Sequence, residues 1–174
     1  MDSQNRIFLI GFMAAGKTTL GKLLATQLAC PFIDSDDVIE RIEGKSVGEI
    51  VQQHSWDYFR QKESDWLTLV SAESSFVCSV GGGLPCHNNN LETLLKLGLV
   101  IYLECSPTVL YARLLEQKHN RPLISAVPNE ELVETITNLL NERESFYQKA
   151  HFISNGDLPI EQQANQLIKK IKGS

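Results

Sequence analysis

No apolar stretch in these 174 residues approaches the roughly 20 needed to cross a bilayer. The first residues, Met1-Asp2-Ser3-Gln4-Asn5-Arg6, also lack the apolar core of a signal peptide. Positive charge is scarce. Lys and Arg number 16 against 21 Asp and Glu, giving a net charge of −5 with the signs interspersed. That pattern leaves no electrostatic footprint for nucleic acid or an anionic membrane. The four cysteines, Cys30, Cys78, Cys86 and Cys105, contain no C-x-x-C pair. The four histidines, His54, His87, His119 and His151, have no metal-ligand spacing, so a structural metal site is not expected. Cys78 and Cys105 fall within or beside apolar strand patterns, where a thiol behaves as a small hydrophobe. A reduced, cytoplasmic protein is the simplest account. Internal repeats, low-complexity tracts and linker-like segments are missing as well, and one domain spanning 1–174 is expected.

What the chain does contain is organised around Gly11-Phe12-Met13-Ala14-Ala15-Gly16-Lys17-Thr18. This G-x-x-x-x-G-K-[ST] pattern follows the apolar run Ile7–Ile10 and opens a segment of helical periodicity, the context in which a phosphate-binding loop is built. Gly11 and Gly16 permit torsions and approaches that a Cβ would block. The loop N–H groups then form an anion nest at a helix N-terminus, where the macrodipole also favours negative charge. Lys17 is placed to reach the β- and γ-phosphates, and the Thr18 hydroxyl to ligate Mg²⁺.

Five β-rich runs, Arg6–Ile10, Pro31–Asp34, Phe76–Val80, Leu99–Leu103 and Phe152–Ser154, alternate with helical patterns. That alternation predicts a parallel sheet wrapped by helices in a three-layer α/β/α arrangement. Leu20, Leu23, Leu24 and Leu28 form the apolar stripe of the first helix, and Ala164, Leu167, Ile168 and Ile171 that of the last. Asp157 or a neighbour is expected to cap that last helix, with Lys169, Lys170 and Lys172 at its C-terminal end. Ligands of such sheets bind off the carboxyl ends of the strands.

Those ends carry the chemistry. The second strand runs into Asp34-Ser35-Asp36-Asp37, where Asp37 fits the cap of a helix over Val38–Ile42. A phosphate-binding loop needs a carboxylate near its Mg²⁺. The third strand ends without one, so Asp34 is the metal candidate and Asp36 faces the acceptor. Gly81-Gly82-Gly83 closes the third strand, and successive glycines mark close backbone approach, here to a substrate through N–H groups. In the helix from about Glu131 to Tyr147, Arg143 lies on or beside the stripe Leu132, Ile136, Leu139, Leu140 and Phe146. A charge aimed inward must be paired or reach a ligand, and adjacent Glu142 and Glu144 point elsewhere around the helix. Arg60 has Glu63 at i+3 to hold its guanidinium; taken alone the pair is a surface ion pair of little worth. Two arginines with an acceptor-facing carboxylate suggest a small acceptor bearing a carboxylate and hydroxyls. The polar segment Glu116–Pro122 is a candidate loop that closes over the phosphates and delivers Arg121.

The combination of the phosphate loop, Asp34-Ser35-Asp36, Phe59-Arg60-x-x-Glu63, Gly81-Gly82-Gly83, Arg121-Pro122-Leu123 and Arg143-x3-Tyr147 resembles the shikimate kinase family over essentially the whole chain. The resemblance implies a P-loop kinase fold like that of the nucleoside monophosphate kinases, with a five-stranded parallel sheet. It also implies a substrate-binding region near residues 33–61 and a lid near 112–125. The implied activity is ATP-dependent phosphorylation of the 3-hydroxyl of shikimate, on the route to chorismate and aromatic amino acids. By the same resemblance Asp36, Lys17 and Arg121 are catalytic, and Asp36, Arg60, Gly81, Gly82, Gly83 and Arg143 bind the acceptor. Ala14, Ala15, Gly16, Lys17, Thr18, Thr19, Arg113 and Arg121 bind ATP, and Thr18 and Asp34 hold Mg²⁺. Arg113 resembles the arginine that stacks on adenine, with the loop Asn155–Pro159 on the other side of the base. The expected partners are ATP and shikimate, without nucleic acid or membrane, for a monomer.

A gluconate or nucleotide kinase of the same fold is the nearest competing reading, and a regulatory ATP-binding domain the next. A nucleotide acceptor requires pockets for a base and a second phosphate, which a single carboxylate clamp does not supply. A pure switch has no use for an acceptor site.

Overall fold

The computed structural model describes residues 6–70, 75–117 and 123–173. Its five strands are β1 (Arg6–Ile10), β2 (Phe32–Asp34), β3 (Phe76–Ser79), β4 (Leu99–Glu104) and β5 (Phe152–Asn155). They form one parallel sheet in the order β2-β3-β1-β4-β5. All five strand expectations hold to within a residue or two at their ends. Side chains along β1 alternate cleanly. Ile7 and Leu9 join one core cluster, while Phe8 and Ile10 join the other. A strand buried on both faces needs apolar residues at every position, and Ile7–Ile10 supplies them.

The helices are α1 (Lys17–Leu28), α2 (Ser35–Glu43), α3 (Val47–Gln53), α4 (Trp56–Val70), α5 (Asn90–Leu97), α6 (Pro107–Gln117), α7 (Leu132–Tyr147) and α8 (Ile160–Lys172). In α1, Leu20 and Leu24 are fully buried, while Leu23 and Leu28 pack at the margin of the same cluster. Gly21 lets this helix lie close to β2, since a Cβ there would stand 2.5 Å from the Phe32 ring. In α8, Ala164 and Leu167 are buried, with Ile168 and Ile171 beside them, and Lys169, Lys170 and Lys172 occupy the last turn. Helix α7 spans both layers: Leu132 and Ile136 pack in one cluster and Tyr147 in the other. Among the described residues no helix is long and apolar enough to cross a membrane.

Two capping expectations change. Helix α2 begins at Ser35, and its N-cap is Asp34, whose carboxylate accepts the Asp36 N–H at 3.2 Å. Asp36 and Asp37 therefore sit in the first turn, where acidic side chains suit the helix dipole. Asp34 wins over Asp37 because it is the last residue of β2, already extended as an N-cap must be. Asp157 does not cap α8, whose N-cap is Pro159 without a side-chain bond. Its carboxylate instead accepts the Ser106 N–H at 3.0 Å, tying the loop after β5 to the one after β4.

Leu24→Ala should lower stability by about 3 kcal/mol, the cost of a core cavity that cannot collapse. Leu23→Ala, at the margin, should cost less than half as much. Urea midpoints with unchanged m-values read both.

Candidate active site

The loop between β1 and α1 has the torsions its glycines anticipate: φ is +138° at Gly11 and +99° at Gly16. A Cβ at Gly11 would stand 2.7 Å from the Leu103 carbonyl, so β4 can flank the loop only at glycine. Ala14 also takes a left-handed φ of +61°. Gly16 caps α1 without a side-chain bond, and the first turn of α1 carries no acidic residue. The N–H groups there thus face no carboxylate of their own turn, as an anion nest requires. Lys17, largely buried, donates to the Gly11 and Phe12 carbonyls, each at 2.9 Å, which holds the ammonium across the loop. Thr18 Oγ1 donates to Asp34 Oδ2 at 2.9 Å and lies 3.5 Å from Ser79 Oγ. The Asp34–Ser79 register of β2 and β3 brings these hydroxyls and the carboxylate to one corner.

Every candidate residue within the described part lines a single cleft of about 1350 Å³. That exceeds the roughly 300–1,000 Å³ of a site for one small ligand, as a cleft for donor and acceptor together should. Arg121, and with it the segment Lys118–Pro122, lies outside the described residues. Leu123 and Ser125, just beyond it, line the cleft. So do Ser46 and Glu49 of the α2–α3 corner, where Ser46 and Glu49 form a reciprocal capping box for α3. The pattern Ser-x-x-Glu at 46–49 is the sequence signal for that helix. At the donor end, Arg113 Nη1 donates to Ala15 O at 3.0 Å and Nη2 to Gly156 O at 3.1 Å. Arg113 thus bridges the phosphate loop to the segment after β5, whose Asp157, Leu158 and Pro159 also face the cleft.

At the other end the glycine loop brings backbone close to the charged groups, as its composition anticipates. The Gly81 N–H donates to Ser35 Oγ at 2.9 Å and so is already committed within the protein. What Gly81 and Gly83 provide is room. A Cβ at Gly81 would lie 2.7 Å from Asp36 Oδ1 and 2.8 Å from Glu63 Oε1. One at Gly83 would lie 2.4 Å from Arg60 Nη2. Ser35, fully buried and bonded to both Gly81 N and Asp36 Oδ1, is a member of the site that its small size and position between two carboxylates conceal in the sequence.

Arg60 and Glu63 make a buried pair, contrary to the surface pair that i, i+3 spacing alone suggests. Arg60 Nη1 donates to Glu63 Oε2 at 2.5 Å, and the Glu63 side chain is 0% exposed. Glu63 Oε1 has no hydrogen-bond partner among the described residues. Burial pushes the Glu63 carboxyl up to about 7 despite the attraction of Arg60. The guanidinium of Arg60 also lies 5.1 Å from the Trp56 ring and 5.5 Å from Phe59. Arg143 lies 5.5 Å from the Phe12 ring, and its Nη1 would be 3.6 Å from a Cβ on Gly82. Among the described residues neither Glu142 nor Glu144 forms an ion pair with Arg143. Glu144 is instead bound by Tyr102 and Gln148.

Burial, reinforced by neighbouring Asp34, pushes the Asp36 carboxyl up to about 6, against the pull of Lys17 and Arg60. The folded protein therefore keeps this proton to higher pH than the unfolded chain does. Its contribution to stability is complete below about pH 4 and is lost as pH rises through about 6. The stability of the ligand-free protein, measured relative to Asp36→Asn, should accordingly fall between about pH 4 and 7 by up to about 3 kcal/mol. Parallel urea titrations of the two proteins check this, and a difference independent of pH would refute it.

The family model for shikimate kinase matches residues 13–172. A shikimate kinase of Bacteroides fragilis is 41% identical over 152 residues, covering 87% of this chain and 85% of that protein. The crystal structure of shikimate kinase from Bacteroides thetaiotaomicron superposes with a TM-score of 0.92 at 38% identity, covering 97% of this chain and 98% of that one. Shikimate kinase from Acinetobacter baumannii in complex with shikimate gives a TM-score of 0.90 at 30% identity, covering 97% and 93%. A phosphate loop facing an arginine-lined recess across one cleft, with these relatives along most of its length, places the chain in the shikimate kinase family.

Proposed function

We propose that the cleft holds ATP along the phosphate loop and shikimate against Asp36, Arg60 and Arg143, and transfers the γ-phosphoryl to the 3-hydroxyl. The products are ADP and shikimate 3-phosphate. The observation that carries this reading is the joining of both ends in one cleft, with loop and arginines separated by Asp34 and Asp36. Arg60 and Arg143 bind the acceptor carboxylate. Glu63 fixes the orientation of Arg60, because a buried guanidinium bonded on one edge presents its remaining N–H groups in a set direction. Asp36, ionised above about pH 6, accepts a hydrogen bond from the hydroxyl and takes its proton as the new bond forms. Proton loss is late in a loose phosphoryl transfer, so alignment of the hydroxyl is the larger contribution.

At the donor end, Lys17 swings from the loop carbonyls to the β- and γ-phosphates, and the N–H groups from Ala14 to Thr19 cradle them. Arg113, bonded along its edge, leaves its planar face to adenine, opposite the segment 155–159. Arg121 is assigned to the charge on the transferred group, carried there by a lid near 112–125 that excludes water. The hard oxygen donors Thr18 Oγ1 and Asp34, the latter through water, suit Mg²⁺, which when bound neutralises charge on the phosphate oxygens. The four cysteines are free thiols, which suits a reducing cytoplasm.

ADP release should depend on shikimate and should not respond to gluconate or a nucleoside monophosphate. Release indifferent to shikimate would overturn the reading. Arg143→Ala should raise KM for shikimate roughly 10- to 150-fold, the worth of a charged hydrogen bond, with KM for ATP nearly unchanged. Asp36→Asn should lower kcat by roughly 10²–10⁴ while the protein remains folded; near-normal turnover would remove Asp36 from the chemistry.

A further inference from the structure

The acceptor arginine has a support that its own helix supplies. Tyr147, the last residue of α7, is fully buried, and its ring packs on Tyr102 with centroids 5.0 Å apart. For packing alone a phenylalanine would serve. The hydroxyl does more: it donates to the Gly82 carbonyl at 2.5 Å, across 65 positions of sequence, and the Arg143 guanidinium is near enough to act on it electrostatically. The phenol gives its one proton to that carbonyl, which leaves its lone pairs suited to accepting from a guanidinium. Arg143 stands four residues before Tyr147, on the same face of the helix, with its Nη1 beside Gly82. Glycine loop, guanidinium and phenol thus meet at the last turn of α7.

We infer that Tyr147 is a positioning residue for the acceptor clamp, its hydroxyl holding Arg143 against the Gly82 backbone so that the guanidinium is set before the acceptor arrives. The inference rests on the proposed placement of the acceptor carboxylate at Arg143. A long arginine side chain is otherwise free to sample many rotamers, and ordering it at the moment of binding would weaken affinity. The same turn of α7 is held from behind, because the Tyr102 hydroxyl donates to Glu144 Oε2 at 2.9 Å. Burial keeps the Tyr147 phenol protonated far above neutral pH, so it remains a donor across the working range.

Steady-state kinetics on Tyr147→Phe, Arg143→Ala and the double variant test this. Tyr147→Phe keeps the ring on Tyr102 and removes only the hydroxyl. KM for shikimate should rise about tenfold, with kcat and KM for ATP within about twofold of the starting protein. In the Arg143→Ala background the same change should add almost nothing, because the group it positions is gone. Three results would overturn the inference: an unchanged KM for shikimate in Tyr147→Phe, an equal rise in both KM values, or an undiminished effect without Arg143. If Arg143→Ala itself leaves KM for shikimate unchanged, the placement of the carboxylate fails and the inference falls with it. If Arg143→Ala raises KM and Tyr147→Phe does not, the inference alone falls. Should the phenylalanine variant be less stable, calorimetric titration with shikimate gives Kd for the folded fraction, and an unchanged Kd would likewise overturn it.

Discussion

Close approach at the carboxyl edge of the sheet is the constraint on which the site depends. Where β1 and β3 end, the chain has no Cβ at Gly11, Gly81, Gly82 or Gly83. At three of these positions an added Cβ would collide within 2.8 Å: with the Leu103 backbone, with Asp36 and Glu63, and with Arg60. The carboxylates and the guanidinium are therefore packed against main chain, not held out on long side chains in solvent. Distances set by backbone are far less variable than those set by rotamers, and in-line phosphoryl transfer is a reaction governed by position.

Packing charge this densely has an electrostatic consequence. Asp36 and Glu63 both lose water, and both carboxyls rise, to about 6 and about 7, although Lys17 and Arg60 pull the other way. Burial outweighs pairing. Lys17 rests on two loop carbonyls, and Glu63 Oε1 has no hydrogen-bond partner among the described residues. These groups have been moved out of water ahead of their use, so a bound ligand meets oriented donors and acceptors that need little rearrangement.

Much of this was legible in the chain. The five apolar runs read as strands because their residues are buried on both faces, leaving continuous hydrophobic stretches that local composition reveals. The loop Gly11–Thr18 was legible for a related reason: its function resides in backbone torsions, and glycine is the residue that signals them. Arg143 could be recognised as inward-facing from helical spacing alone. Other features misled. Asp37 has the right neighbours for a cap, yet Asp34 caps α2 because the strand ends there. Asp157 has the right position before α8, yet its partner is Ser106, 51 residues away. Arg60–Glu63 was legible as a held guanidinium, yet nothing local shows that Glu63 is enclosed.

Sequence by itself determined the elements, the phosphate loop and the identity of the charged groups, since those follow from periodicity, torsional preference and chemical type. Only the tertiary structure decided what each of those groups touches. Gly81 is bound by Ser35 and Gly82 by Tyr147 across separations of 46 and 65 residues, and no local pattern encodes either contact. The physical reason is the parallel sheet: every strand must return to the same edge through a helix, so the groups that meet at that edge are necessarily far apart in the chain.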